Sequence, residues 1–425
     1  MRIFLHSGFN SQAMNNIKII HTADWHLGQR FCDLDRREEH HHFLDWLLQT
    51  LATEQPKILL ISGDIFDSSN PPHYAFEMYY NFLVAAGKLC PHIIVTGGNH
   101  DSPAALNAPR QLLKSLGIHV VGSSPKNLED EIVLVFDDAG NPIAAIAAVP
   151  FLREGDVRRT EAAESVTDRW LLTKDGIARH YADLRDLLLP YKAQQVPLIA
   201  TGHLYAAGAD FSGSDKEMRH MVGHQFQAEA TIFPPEFDYI ALGHIHKPQI
   251  VAQKNHVRYS GSPIPLSFSE RTDTKQVLSV TFEQGQLAQI TPLPIPLHRA
   301  LLRFKGPLER VMAELSSYEH SPDLPAHWVE VVVEADKFLP DTDKRVREAA
   351  ENKNIVVLSV KNDYTNYRAQ SLSQQVQPTE SLDELSEIDV FLKRCESLKK
   401  SAEETEILKD TFEELMQIML EKESK

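Results

Sequence analysis

The chain has 425 residues and a formal net charge of −16. That length exceeds one typical core and predicts two or three domains, and the acidity excludes a simple cationic DNA-coating protein, whose affinity comes from neutralising phosphates. Its three cysteines, Cys32, Cys90 and Cys395, form no CxxC pair, which excludes a zinc ribbon and points to a reducing cytoplasm; no run approaches the roughly 18 apolar residues of a membrane span.

In chain order, Met14-Asn15-Asn16 stands directly before the first strand-like run, so residues 1–16 read as an N-terminal extension. From 17 to 292 apolar runs and helical stretches alternate. Ile17–Ile20, Ile58–Ile61, Ile93–Val95, Leu198–Ala200 and Tyr239–Leu242 have the length and branched content of buried strands. Asp45–Leu51, Tyr74–Leu89 and Asn107–Leu116 read as helices, with a loop at Asn70-Pro71-Pro72. An insertion over 151–195 ends in a helical stretch around Ala178–Leu189. Val257–Tyr259 and Gln276–Phe282 read as later strands adjoining one another, which favours two sheets over a single parallel one.

The Pro-rich Thr291–Leu297 reads as an extended linker. Residues 298–362 then give β-α-β-α-β through Ala300–Phe304, Leu308–Leu315, Trp328–Glu334, Thr342–Ala350 and Ile355–Val360. Residues 363–380, rich in Gln and Ser, read as a tether. Over 381–425, Ser381 and Glu384 form a capping-box pattern. Leu382, Leu385, Ile388 and Leu392, then Leu408, Phe412, Leu415 and Met419, recur at helical spacing. Two short amphipathic helices with acidic outer faces need something to bind.

Each of the five buried-strand runs breaks off into a cluster of metal-ligand residues. The clusters are Asp24-Trp25-His26, Gly63-Asp64-Ile65-Phe66-Asp67, Gly98-Asn99-His100-Asp101, Thr201-Gly202-His203 and Gly243-His244-Ile245-His246. One alone means little, because each Asp or His can simply cap a turn. Five in order predict ligands converging along one edge of a sheet, where α/β folds carry their chemistry. Oxygen and imidazole ligands without thiolate suit Mn²⁺, Fe²⁺ or Zn²⁺. Two such ions about 3.5–4 Å apart can clamp the attacking and leaving oxygens of a phosphoryl displacement. Asp64, at the tip of a Gly-Asp turn, is suited to bridge them.

This ordered set resembles the calcineurin-like metallophosphoesterases. More narrowly, His21–Gly28, Ile240–His246 and Tyr259–Phe268 are similar to the SbcD family, the nuclease subunits of bacterial SbcCD complexes. The resemblance is strong over about 17–290. It implies an α/β fold: a two-sheet metallophosphoesterase sandwich flanked by helices, a small α/β capping domain over 298–362 and a C-terminal helical segment over 381–425. It implies one metal on Asp24, His26, Asp64 and His246, and a second on Asp64, Asn99, His203 and His244. His100 would be the acid that protonates or stabilises the leaving oxygen, with Asp101 orienting it. Some relatives carry a histidine where this chain has Asp67, which leaves Asp67 outside the catalytic set.

The implied activity is a metal-dependent DNA nuclease, a 3′–5′ double-strand exonuclease and single-strand or hairpin endonuclease. Its cofactor would be two divalent ions, Mn²⁺ foremost. Its partners would be an SbcC-like coiled-coil ATPase in a heterotetramer, double-stranded and hairpin DNA, and a second copy of the chain. Competing with this are another enzyme of the same fold, such as a phosphoprotein phosphatase or cyclic-nucleotide phosphodiesterase, and a non-catalytic scaffold. No ligand is missing, which tells against the scaffold. Tyr259–Phe268, the small domain and the tail tell against the phosphatase. Elsewhere, the His40-His41-His42 triplet reads as a solvated helix face and His21 as packed behind the first cluster. Ser260 and Ser262 read as backbone-shaping residues near the metals. Arg153, Arg158 and Arg159 suit either a solvated face or a nucleic-acid backbone.

Overall fold

Alternation along the strands decides the architecture. In β1 (Ile17–Thr22), Ile17 and Ile19 join one buried cluster and Ile20 another. In β2 (Ile58–Ser62), Ile58 and Leu60 divide from Leu59 and Ile61 in the same way. Strands buried on both faces require cover on both. In the computed structural model, which describes residues 16–158, 166–207, 228–335, 339, 341–363, 391, 395, 408, 409 and 412, that cover is a second sheet on one side and helices on the other.

The first sheet continues with β3 (His92–Thr96) and β4 (Ile118–Val121), parallel to β1 and β2. The second is built from β5 (Ile132–Phe136), β6 (Pro142–Ala147), β7 (Leu198–His203), β8 (Tyr239–Gly243), β9 (Gln249–Val251) and β10 (Lys254–Tyr259). Its order is β9-β10-β8-β7-β6-β5. The last strands of the sandwich, β11 (Gln276–Glu283) and β12 (Gln286–Pro294), return to the first sheet, in the order β12-β11-β1-β2-β3-β4.

Ile19, Leu60 and Ile94 of the first sheet meet Ile146, Ile199 and Tyr239 of the second in one buried layer. Outside the first sheet, α1 (Arg37–Glu54) and α2 (His73–Ala86) lay Leu44, Leu47, Tyr79 and Leu83 over Ile20, Leu59 and Ile61. Outside the second, α5 (Val166–Lys192) brings Tyr181, Leu184 and Leu188 onto Leu198 and Ile240. Each fully buried side chain of this kind contributes about 1.5–3 kcal/mol. The expected two-sheet α/β sandwich flanked by helices is what forms.

Several local expectations are corrected. Val257–Tyr259 and Gln276–Phe282 do not adjoin: the former pairs with β8 and the latter with β1, in different sheets. The Pro-rich segment is not all linker. β12 runs to Pro294 and pairs residue by residue with β11. Its prolines fit because it is an edge strand, whose outer side asks for no backbone donor. Helix α1 starts at Arg37, well before Asp45. The stretch 107–116 holds the end of α3 (Pro103–Asn107) and then α4 (Arg110–Lys114), separated at Ala108-Pro109.

Beyond the sandwich, β13 (Leu301–Gly306), α6 (Leu308–Ser317), β14 (His327–Glu334), α7 (Thr342–Ala349) and β15 (Ile355–Asp363) form the expected β-α-β-α-β series around a three-stranded sheet. Trp328 of β14 is buried, stacks on Phe31 at 5.5 Å between centroids, and faces the guanidinium groups of Arg36 and Arg299. Two cations on one desolvated indole hold this strand against the start of α1.

By contact, residues 1–332 and 342–361 form one compact unit, and 333–341 and 362–425 a second. Within the second, the rings of Phe391 and Phe412 stack at 4.4 Å and Cys395 is buried. Residues 1–15 of the expected extension (1–16), Arg159, most of the tether, and Leu382, Leu385, Ile388, Leu392, Leu415 and Met419 lie outside the described residues.

Candidate metal centre

All the cluster residues come together where β1, β2, β3, β7 and β8 end. After β1 the chain stays zipped to the chain after β2: Asp24 N–H donates to Gly63 O at 3.0 Å, His26 N–H to Asp64 O at 3.0 Å and Leu27 N–H to Ile65 O at 2.9 Å. Trp25, between them, is buried among Phe43 and Phe82 and bonds Thr22. An anchored indole thus turns both neighbours towards the cleft. Asp24 (φ 55), His26 (φ 48), Asp64 (φ 49) and His244 (φ 97) all sit in left-handed backbone. That conformation is uncommon for non-glycine residues and clusters at functional sites, where the surrounding structure holds it. Gly63 and Gly98 let the loops close: a Cβ at either would collide with His203 or Asp64 respectively.

Asp64 is the hub. Its Oδ2 lies 3.6 Å from His26 Nε2 and 3.2 Å from His203 Nε2, while Oδ1 accepts the His100 N–H at 3.0 Å. Around it, Asp24, His26 and His246 form one group of mutually close donor atoms. Asp64, His203 and His244 form another, and His26, Asp64 and His100 a third, all within 4.8 Å. Asn99 Oδ1 lies 3.1 Å from His203 Nε2 and 3.0 Å from His244 Nδ1.

Opposed charges are buried together here. Burial works against charge on Asp64, but His203, His26 and His100 hold its carboxyl well below the usual range. Burial likewise opposes charge on His203, yet Asp64 and Asp24 raise it to about 9. For Asp24 burial wins, and its pKa is raised. Two buried atoms that face this cluster, Asp24 Oδ2 and His26 Nε2, have no hydrogen-bond partner among the described residues. Buried polar groups are rarely left so unless something binds them, and a carboxylate oxygen beside an imidazole nitrogen suits a divalent transition-metal ion.

Two expectations change. Asp101 has a role beyond the one expected of it: it accepts backbone N–H groups of Ile65, Phe66 and Gly98 at 2.8–3.1 Å, stitching the two loops together. Burial and the Asp64 charge raise its pKa to about 6. The carbonyl of Asp67 holds the His100 ring, 2.8 Å from Nδ1. The Asp67 carboxylate meets His26 Nδ1 at 3.1 Å. Of the histidine triplet, His41 is exposed but His40 is buried. Its Nε2 lies 3.1 Å from Trp25 O, and burial, then Arg36, lower its pKa to about 3. His21 is packed as expected, bonded to Tyr239 at 2.9 Å and lowered to about 3 by burial.

No motif or spacing in the sequence marks Glu270 and Lys275. Both are buried and paired at 2.6 Å beneath His246, just beyond the Tyr259–Phe268 stretch. Ser262, inside that stretch, donates its backbone N–H to His246 O at 3.1 Å, which is the backbone-shaping role expected of it.

Comparison with known proteins agrees with this geometry. A family model described as calcineurin-like phosphoesterase matches residues 17–248, and one described as type 5 capsule protein repressor C-terminal domain matches 298–398. The SbcD subunit of nuclease SbcCD from Escherichia coli K12 is 37% identical over 382 residues, covering 89% of this chain and 92% of that protein. The proteins of the same name from Rhodobacter capsulatus and Bacillus subtilis 168 are 35% and 30% identical, covering 70% and 68% of this chain and 75% and 72% of theirs. The chain belongs to the calcineurin-like phosphoesterases and, within them, to the SbcD family of SbcCD nuclease subunits.

Proposed function

We propose that the chain is a two-metal DNA nuclease that works with an SbcC-like coiled-coil ATPase. The observation that carries this reading is Asp64 Oδ2 lying between His26 and His203, with separate ligand groups on either side. One ion would be held by Asp24, His26, Asp64 and His246, the other by Asp64, Asn99, His203 and His244, with Mn²⁺ best suited. When bound, such ions acidify an attacking water and neutralise charge on the scissile phosphate. The chain's own residues do the rest. Asp67 fixes His26 through its carboxylate and His100 through its carbonyl, and His100, so oriented beside Asp64, would pass a proton to the leaving oxygen. Asp101 keeps the loops of Asp64 and Asn99 in register through three backbone bonds.

The name the relatives carry supports a nuclease substrate and a second subunit as partner. The finer activities proposed are 3′–5′ exonuclease action on duplex ends and endonuclease action on single strands and hairpins, in the cytoplasm. The domain limits proposed are 17–294 and 298–363, moved from the expected 292 and 362 to where β12 and β15 end, then a tether up to 380 and a docking segment over 381–425. Double-stranded DNA, p-nitrophenyl phosphate and a cyclic dinucleotide, compared with Mn²⁺, test the substrate class. Preference for either small substrate would return the chain to the phosphatase or phosphodiesterase reading.

Pairing of two copies through α2 and α4 is proposed on a narrow face. Tyr79, Leu83, Leu106 and Leu113 are buried in the core, whereas Val84 (51%), Leu112 (69%) and Leu116 (50%) are exposed. Light scattering at micromolar concentration is expected to give a dimer mass, and a Leu112→Glu, Leu116→Glu variant a monomer. A monomeric wild type would remove the proposal.

The docking segment gives a second expected result. Deleting residues 376–425 should leave metal content and cleavage of short single strands near wild type. ATP-stimulated cleavage of duplex ends should fall sharply, because helix-in-groove docking uses anchors spaced like Leu385, Leu392, Leu408, Phe412, Leu415 and Met419. Co-purification of the truncated chain with the ATPase at wild-type yield would move the docking role to 298–363.

A further inference from the structure

A buried Lys–Glu pair is a poor device for stability, since apolar residues of the same volume usually do as well or better. The pair beneath His246 has contacts that apolar residues could not supply. Lys275 Nζ donates to the His246 carbonyl at 3.1 Å, to Ser262 Oγ at 2.9 Å and to Glu270 Oε2 at 2.6 Å. Glu270 also accepts the Leu266 N–H at 3.1 Å and the hydroxyls of Ser262 and Ser267, so its carboxylate is fixed from several sides. Its other oxygen, Oε1, stands 3.6 Å from His246 Nδ1. At that distance the Nδ1–H of a neutral, metal-binding imidazole would be drawn to the carboxylate without a full hydrogen bond. Both charged groups are fully buried, so the contact is little screened by water or salt. His246 is thereby gripped at its backbone by Lys275 and at its ring by Glu270.

Resting on the two-metal reading above, we propose that Glu270 is a positioning residue for His246, itself set in place by Lys275, and that the pair serves only the ion held with Asp24 and His26. The opposite group, Asp64, Asn99, His203 and His244, has its own support. His203 Nδ1 meets Ser62 O at 2.9 Å, on the far side of the ring from Asn99 and Asp64. Carboxylates that orient metal-binding imidazoles typically account for about 10–100-fold in affinity, so the signature is a loss confined to one of two ions.

The test is a Mn²⁺ titration of the full chain by calorimetry, beside urea unfolding. Wild type should bind two ions. Glu270→Met combined with Lys275→Met removes both charges together, so no buried ion is stranded and the urea midpoint should stay close to wild type. One ion should bind as in wild type and the other about 10–100-fold more weakly. Glu270→Gln, nearly isosteric, carries the same test if the double variant does not fold. Two ions bound with unchanged affinity, or both weakened equally, would overturn the proposal while leaving the two-metal reading intact. Fewer than two ions on the wild-type chain would overturn that reading and this one with it.

Discussion

Asp64→Ala is expected to reduce DNA hydrolysis to background and to deplete both metal ions rather than one. The reason is its position. Oδ2 lies between His26 and His203, so removal takes an anionic ligand from each side of the cluster. It also takes away the acceptor for the His100 N–H. Of the implied ligands, Asp24 is then the one carboxylate left among the imidazoles, too little negative charge to hold two divalent cations about 3.5–4 Å apart. Metal analysis of the purified variant by mass spectrometry checks this, with circular dichroism to show that the fold is kept. Wild-type occupancy at either position would contradict the bridging assignment.

His100→Ala should separate catalysis from binding. His100 is half-buried, and its Nδ1 is committed to the Asp67 carbonyl. Such a ring can move a proton without holding an ion, and loss of a general acid costs about 10²–10⁴-fold in turnover. Metal content should persist. The alternative is concrete, because His100 also lies within 4.8 Å of His26 and Asp64 donor atoms. A variant that loses an ion along with its activity would make His100 a ligand.

The convergence of the candidate ligands is legible because each follows a short apolar run, and a strand buried on both faces leaves that mark whatever its neighbours are. Pairing is not legible. Val257–Tyr259 and Gln276–Phe282 look alike as sequence, and only the three-dimensional partners, β8 and β1, place them in different sheets. Prolines 292 and 294 read as linker because the freedom of an edge strand to carry them depends on what is absent from its outer side. His40 reads as solvated among its charged neighbours, yet the first turn of α1 packs under the Trp25 carbonyl and takes His40 inside.

The same limit explains the roles. Asp101 is adjacent to His100 in sequence, which suggests that it orients that ring; the turn also points its carboxylate at three backbone N–H groups. Nothing in the sequence marks Glu270 and Lys275, yet the fold of the Tyr259–Phe268 stretch places them under His246. Contacts of this kind, between residues far apart or turned away from their sequence neighbours, carry no periodic signal.

Anomalous diffraction from crystals grown with Mn²⁺, collected at the manganese edge, tests the central claim most directly. Two peaks about 3.5–4 Å apart are expected, with Asp64 shared between them, Asp24, His26 and His246 around one, and Asn99, His203 and His244 around the other. A single peak, or two peaks without Asp64 between them, would contradict the two-metal centre.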